Sequence, residues 1–157
     1  MKADPHLRFF QSNDLAALQR LIFQTIDFSY HAVYPDEAIQ YFKDYHSNNR
    51  ILDDASMGNT LIILKSNILL GTGTLCNSSI RRVFVSPDCQ GQGLGKLIMS
   101  SLEQIALSHR ETLLSLEASL PSQVFYHHMG YQTIEKCFIE VGNNQSLDYF
   151  RMQKALA

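Results

Sequence analysis

Net charge, long apolar runs and paired cysteines are all scarce in this sequence, and each scarcity removes a class of function. Its 157 residues carry 13 Lys+Arg against 15 Asp+Glu, a formal net charge of -2. That balance argues against a general nucleic-acid binder, which needs a cationic surplus to displace counterions from phosphate. No apolar run approaches the ~20 residues that span a bilayer as a helix. The opening Met1-Lys2-Ala3-Asp4-Pro5-His6 has neither the apolar stretch nor the small-residue cleavage site of a secretory signal. The expectation is a cytoplasmic protein engaging neither nucleic acid nor membrane. Cys76, Cys89 and Cys137 are far apart and odd in number, so they read as reduced thiols. No C-x-x-C or His-x-x-x-His occurs, and no metal site is expected, since zinc needs about four converging ligands.

Hydrophobic residues make up 45% of the chain, enough for one continuous core over residues 1–157. No repeat, low-complexity segment or linker interrupts it. His6 to Gln11 reads as a strand, and Ser12-Asn13-Asp14 as a helix start. Leu15, Leu18, Ile22 and Ile26 follow at helical spacing, and the helix should fade near Phe28-Ser29-Tyr30. Pro35-Asp36-Glu37 opens a second helix, with Pro35 at the first helical position and Ile39, Phe42 and Tyr45 inward. Ser47 to Asn59 is polar and reads as loop.

A β-rich stretch follows. Thr60–Lys65 and Ile68–Cys76 flank a Ser66-Asn67 hairpin turn, with Gly71 and Gly73 marking a bulge or a close backbone approach. Ile80–Val85 is another strand, and Leu94, Leu97, Ile98, Leu102 and Ile105 define an amphipathic helix. Thr112–Ala118 returns to strand. Pro121–Met129 is a short helix stopped by Gly130, and Gln132–Val141 and Leu147–Gln153 are two last strands turning at Gly142-Asn143-Asn144. The order β-α-α-β-β-β-α-β-α-β-β predicts a mixed α/β (α+β) sheet with helices on its faces.

The most informative segment is Val83-Phe84-Val85-Ser86-Pro87-Asp88-Cys89-Gln90-Gly91-Gln92-Gly93-Leu94-Gly95-Lys96. A strand enters a loop with three alternating glycines, and the loop enters a helix. The first amides of a helix lack internal acceptors, and its dipole favours negative charge there, so the arrangement suits phosphate or pyrophosphate. Spacing separates the loop types. The pattern G-x-G-x-x-G fails, because Lys96 or Ile98 falls where its last glycine belongs. A P-loop fails because Gln90 replaces its first glycine and Leu97 its magnesium-binding hydroxyl. A plain tight turn is the functionless alternative.

The segment resembles the GNAT N-acetyltransferase superfamily, whose signature V-x-P-x-x-[QR]-x-x-G-x-[GA] is met by Val85, Pro87, Gln90, Gly93 and Gly95. A second family signature, Tyr-x-x-x-Gly-[Phe/Tyr] after the next strand and short helix, is met by Tyr126-His127-His128-Met129-Gly130-Tyr131. The resemblance implies a mainly antiparallel sheet flanked by helices, with splayed central strands. It also implies direct acetyl transfer from acetyl-CoA, used as cosubstrate, to a primary amine of a small molecule or a peptide or protein. A homodimer is an open possibility that nothing in the chain requires.

By that resemblance, backbone groups of Phe84 and Val85 hold the pantetheine arm, and Gln90, Gly91, Gln92, Gly93, Leu94, Gly95 and Lys96 hold the pyrophosphate. Lys96 reads equally as a solvated helix lysine. Tyr126 matches the general acid that protonates the departing thiolate, since a phenol with a pKa of ~10 holds its proton at neutral pH; alternatively it is a packing residue. Where many relatives carry a glutamate before the glycine loop, this chain has Arg81 and Arg82. The expected base is therefore Glu117, which reads also as a strand-end surface carboxylate, with His31 or a water chain as the other choices. Ser119 stands where relatives place an asparagine against the CoA arm, with a shorter reach. Phe28, Tyr30, His31 and Tyr34 suggest an aromatic acceptor pocket or ordinary helix packing. A catalytically silent acyl-CoA sensor is the competing function.

Overall fold

Why these segments fold as they do is clearest at their ends. The computed structural model describes residues 4–156. The first strand, β1 (His6–Phe9), runs into a 3-10 turn at Ser12–Asp14 and then helix α1 (Leu15–Tyr30). The carboxylate of Asp14, rather than Ser12, does the capping: it accepts the Gln11 amide at 2.8 Å and holds Arg8 at 2.8 Å. Helix α2 (Asp36–Tyr45) starts with Pro35 just outside it, in extended conformation, rather than at its first position.

The stretch read as loop, Ser47 to Asn59, is instead helix α3 (Asn48–Met57). Ser47 caps it, its hydroxyl accepting the Arg50 amide at 3.4 Å. Only Ile51 is fully buried, so the apolar period that marks a helix is nearly absent from the sequence.

Strands β2 (Asn59–Lys65), β3 (Ile68–Cys76) and β4 (Ser79–Val85) form an antiparallel meander. The turn between β2 and β3 has Ser66 and Asn67 both at positive φ, 51° and 63°, the twist a two-residue hairpin requires. Helix α4 (Leu94–Ser108) packs on this meander. A Cβ on Gly73 would meet Ile98 Cγ2 at 2.4 Å, so the glycine marks close approach of helix to strand. Strand β5 (Leu113–Ser119), helix α5 (Gln123–His128), and the long hairpin β6 (Gln132–Gly142) and β7 (Gln145–Ala155) complete the chain.

All seven strands form one sheet, in the order β1-β2-β3-β4-β5-β7-β6. Every neighbouring pair is antiparallel except β4 and β5, which are parallel and meet only at Ser79↔Ser115 and Ile80↔Leu116. Helices α4 and α5 cover one face, where Ile63, Leu75, Ile98, Met99, Leu102 and Leu116 are buried together. The α1–α3 layer covers the other, over Ile62, Phe84 and Leu147. Burial of each such aliphatic side chain stabilises by ~1.5–3 kcal/mol. The core is thus strong on both faces, while the seam between β4 and β5 opens beyond two paired residues. Among the described residues no helix is long and apolar enough to cross a membrane.

Candidate active site

Where β4 and β5 part, the sheet holds a cavity of about 590 Å³. Beyond Ile80 the edge of β4 facing β5 has no strand partner, although its other edge stays paired, Phe84 to Thr72 and Val85 to Gly71. An unpaired edge inside a sheet can receive an extended chain by backbone hydrogen bonds.

Strand β4 delivers the chain to the glycine loop through a 3-10 turn at Pro87–Cys89. Gln90, Gly91, Gln92 and Gly93 are exposed, and the Gln90 side chain donates back to the Val85 carbonyl at 3.0 Å. Gly91 and Gly93 take φ of 78° and 83°, a conformation that favours glycine, and a Cβ on either would meet nothing within 4 Å. Gly93 is the residue before α4, so the left-handed turn delivers the chain directly into the first turn of that helix. The amides of Leu94, Gly95 and Lys96 open α4, where a helix offers them no internal acceptor. They fit an anionic group, as exposed helix-start amides do. Gly95 has a packing reason of its own: a Cβ there would meet Phe125 Cζ at 3.0 Å. Lys96 is exposed in the first turn of α4, and Cys89 is a free, half-buried thiol beside the loop.

Tyr126, on α5, is buried and lines the cavity with Tyr30, Ser119 and Ser122. Its hydroxyl has no hydrogen-bond partner within the described residues. Burial, reinforced by nearby Tyr30, pushes its pKa up, so the phenol keeps its proton. Ser119 and Ser122 bond each other at 2.7 Å. Burial likewise raises Tyr30, with these two serines pulling it partly back.

Glu117 lies on β5, exposed and lining the cavity, with Arg151 of β7 as its cross-strand neighbour. Arg151 pairs instead with Glu135. His31 is not brought to the cavity; it is exposed and 3.4 Å from Asp27 on α1. Phe28 is 70% exposed, so the expected aromatic cluster loses two members. Tyr30 and Tyr34 do pack together, with Phe42 joining them at centroid separations of 4.8 and 5.1 Å.

The sequence reading missed the other wall. A bulge in β4 sets Arg82 at φ 53°, and the β3 partner of that stretch skips from Thr72 to Thr74. Arg81 and Arg82 both reach Asp54 of α3, Arg81 at 3.1 Å and Arg82 in a tight ion pair. Burial alone would raise Asp54, but these guanidiniums hold it below the usual carboxylate range. His46, buried next to them, meets Phe84 edge-on with centroids 5.2 Å apart. Burial first, and Arg82 second, depress its pKa to about 3. His46 Nδ1 and Arg82 Nε are buried with no hydrogen-bond partner. Two adjacent arginines inside an apolar strand were the available signal.

Among the described residues one parallel pair splays beside a glycine loop, an arrangement that belongs to the fold class of the GNAT acetyltransferases. The family described as Acetyltransferase (GNAT) domain matches residues 30–156. The chain belongs to the GNAT acetyltransferase family. Solved structures agree on the fold. A GCN5-related N-acetyltransferase from Rhodopseudomonas palustris is 22% identical, with 99% of this chain and 98% of that one covered at a TM-score of 0.88. PaiA N-acetyltransferase from Thermoplasma acidophilum, solved in complex with coenzyme A, is 17% identical over 98% and 99% of the two chains, at a TM-score of 0.76. The yncA protein from Salmonella typhimurium, solved with its cofactor acetyl-CoA, is 16% identical over 99% and 95%, at a TM-score of 0.68.

Proposed function

We propose that this protein transfers the acetyl group of acetyl-CoA directly to a primary amine, without an acyl-enzyme. The observation that carries the reading is the joining of two features by one strand: the open edge of β4 and the glycine loop that leads from it into the start of α4. In this reading the loop from Gln90 to Lys96 holds the pyrophosphate, with backbone amides as donors and the start of α4 supplying favourable dipole. Phe84 and Val85 hold the extended arm by backbone pairing, and Ser119 contributes a hydroxyl from the opposite strand. The neighbouring structures with coenzyme A and acetyl-CoA support the choice of cosubstrate.

The reaction makes a carbon–nitrogen bond and breaks a carbon–sulfur bond, so one proton leaves the amine and one reaches the thiolate. Tyr126 supplies the second: its buried, protonated phenol needs only to donate. Glu117 receives the first, directly or through water, from its position on the cavity wall. The amine is itself the nucleophile, so no side chain needs activation.

Thiol release from acetyl-CoA, followed over a panel of primary amines, tests the reading. Turnover of at least one amine with saturable dependence on acetyl-CoA is expected. Binding of acetyl-CoA with no turnover of any amine would leave a sensor instead, and no binding would remove the loop assignment.

A further inference from the structure

The closed end of the β4–β5 seam sets up an ion pair that the splay keeps from forming. Ser79 and Ser115 are directly paired, and both strands run the same way. Two residues further along each strand stand Arg81 and Glu117, which would be the next side chains on that face to meet. They do not: Arg81 turns to Asp54, and Glu117 has no ion-pair partner among the described residues. Both line the cavity.

The cationic side carries more charge than it needs. Asp54 gives one oxygen to each of two guanidiniums. One positive charge is left over, and Arg82, its side chain only 4% exposed, still has an Nε without an acceptor. Burying an arginine is costly unless its charge and donors are matched, and an apolar side chain would serve packing better. Arg82 also bears the left-handed backbone of the bulge, which turns it to the same side as Arg81. A left-handed backbone and a buried donor without an acceptor meet at Arg82, and such an outlier motivates a hypothesis of function at that place. The surplus of a single charge fits a carboxylate; a phosphate dianion would stay half neutralised.

We propose that the acceptor is an amino acid, its carboxylate seated on Arg81 and Arg82 and its ammonium group facing Glu117 across the splayed seam. The inference rests on the acetyltransferase reading for the fate of the amine, though the seat itself is a binding property that can be measured alone. Tyr41 and Tyr45, stacked with centroids 6.4 Å apart, close the cavity on the α2 side.

The test is calorimetric titration of the full chain, free and loaded with coenzyme A, against α- and ω-amino acids and the primary amide of each. At least one amino acid is expected to bind about tenfold or more tighter than its amide, as loss of a charge-assisted hydrogen-bonded contact implies. Arg81→Gln, at a half-exposed position, should collapse that ratio towards one, with plain amines binding no more weakly than before. Arg82→Gln should do so more completely where circular dichroism shows it folded. Amides or simple amines binding as tightly as the amino acids, no amino acid binding at all, or an unchanged ratio in Arg81→Gln would each overturn the seat. Preferential amino-acid binding in a chain that transfers no acetyl group would retire the enzymatic reading and leave the seat standing.

Discussion

The hydroxyl of Tyr34 donates to the backbone carbonyl of Asp148 at 2.6 Å, joining residues 114 positions apart. The same oxygen accepts the Leu120 amide at 2.9 Å. One phenol thus ties the loop between α1 and α2 to β7 and to the turn that leaves β5, around the far wall of the cavity. Tyr34→Phe keeps the ring against Tyr30 and Phe42 but leaves a part-buried carbonyl and amide unpaired. It should cost about 2 kcal/mol, measured by urea denaturation, since an unmet buried polar group costs ~1–3 kcal/mol.

Gly93→Asp separates ligand binding from folding. The residue is exposed, its backbone is left-handed at φ 83°, and nothing lies within 4 Å of an added Cβ. A non-glycine residue there is strained by ~1–2 kcal/mol. The added carboxylate also places negative charge where the proposed pyrophosphate binds. Coenzyme A affinity by calorimetry should fall at least tenfold, with only a small drop in melting temperature. Unchanged affinity would count against the loop.

For Tyr126→Phe the expected pattern is kinetic. The hydroxyl makes no hydrogen bond among the described residues, so its removal strands no partner there and stability should barely change. Turnover should fall by about 10²-fold, within the range for loss of a positioned general acid. The KM for acetyl-CoA should stay within about a factor of two or three. An unaltered rate would take the tyrosine out of the acid role.

The contrast between α4 and α3 shows what a single sequence discloses. Ile98, Met99 and Leu102 repeat at helical spacing because that face is wholly buried, so α4 was legible. Helix α3 buries one side chain, and polar residues at helical spacing carry no period. The left-handed turns at Gly91 and Gly93 were legible because that backbone conformation selects glycine. His46 and Arg82 were not. Their role arises from a bulge and from Asp54 on another helix, contacts that exist only once α3 packs on the sheet. Phe28 and His31 erred the other way: neighbours in sequence, they point off α1 into solvent.

Asp54→Asn tests the pair behind the β4 wall. It strips the counter-charge from a nearly sealed Arg82, and breaking a buried ion pair from one side costs ~3–5 kcal/mol. The loss should lie near the lower end, about 3 kcal/mol, because Asp54 keeps some exposure. The double variant Asp54→Asn, Arg82→Met should recover most of it, since the stranded charge is gone. A double variant as unstable as the single one would show that the cost comes from Asp54's packing rather than from Arg82's charge.

His46 supplies the pH dependence. Its folded pKa is depressed to about 3, from an ordinary value of 6.5, by burial and then by Arg82. The folded chain therefore holds the imidazole neutral, while the unfolded chain protonates it below pH 6.5. Between about pH 6 and 4 the unfolded state binds the extra proton, and stability falls as pH falls, by up to ~1.4 kcal/mol per pH unit. Carboxylates held low by ion pairs, Asp54 among them, lose their contribution only at lower pH. The two windows overlap below about pH 5, so the slope between about pH 6.5 and 5 is the part that reports His46. His46→Phe keeps an aromatic edge on Phe84 and removes the titrating group together with its unpartnered Nδ1. Urea-unfolding free energies across that range should flatten in the variant, with stability at pH 7 nearly unchanged. A wild-type slope that persists in His46→Phe would assign the proton to another group.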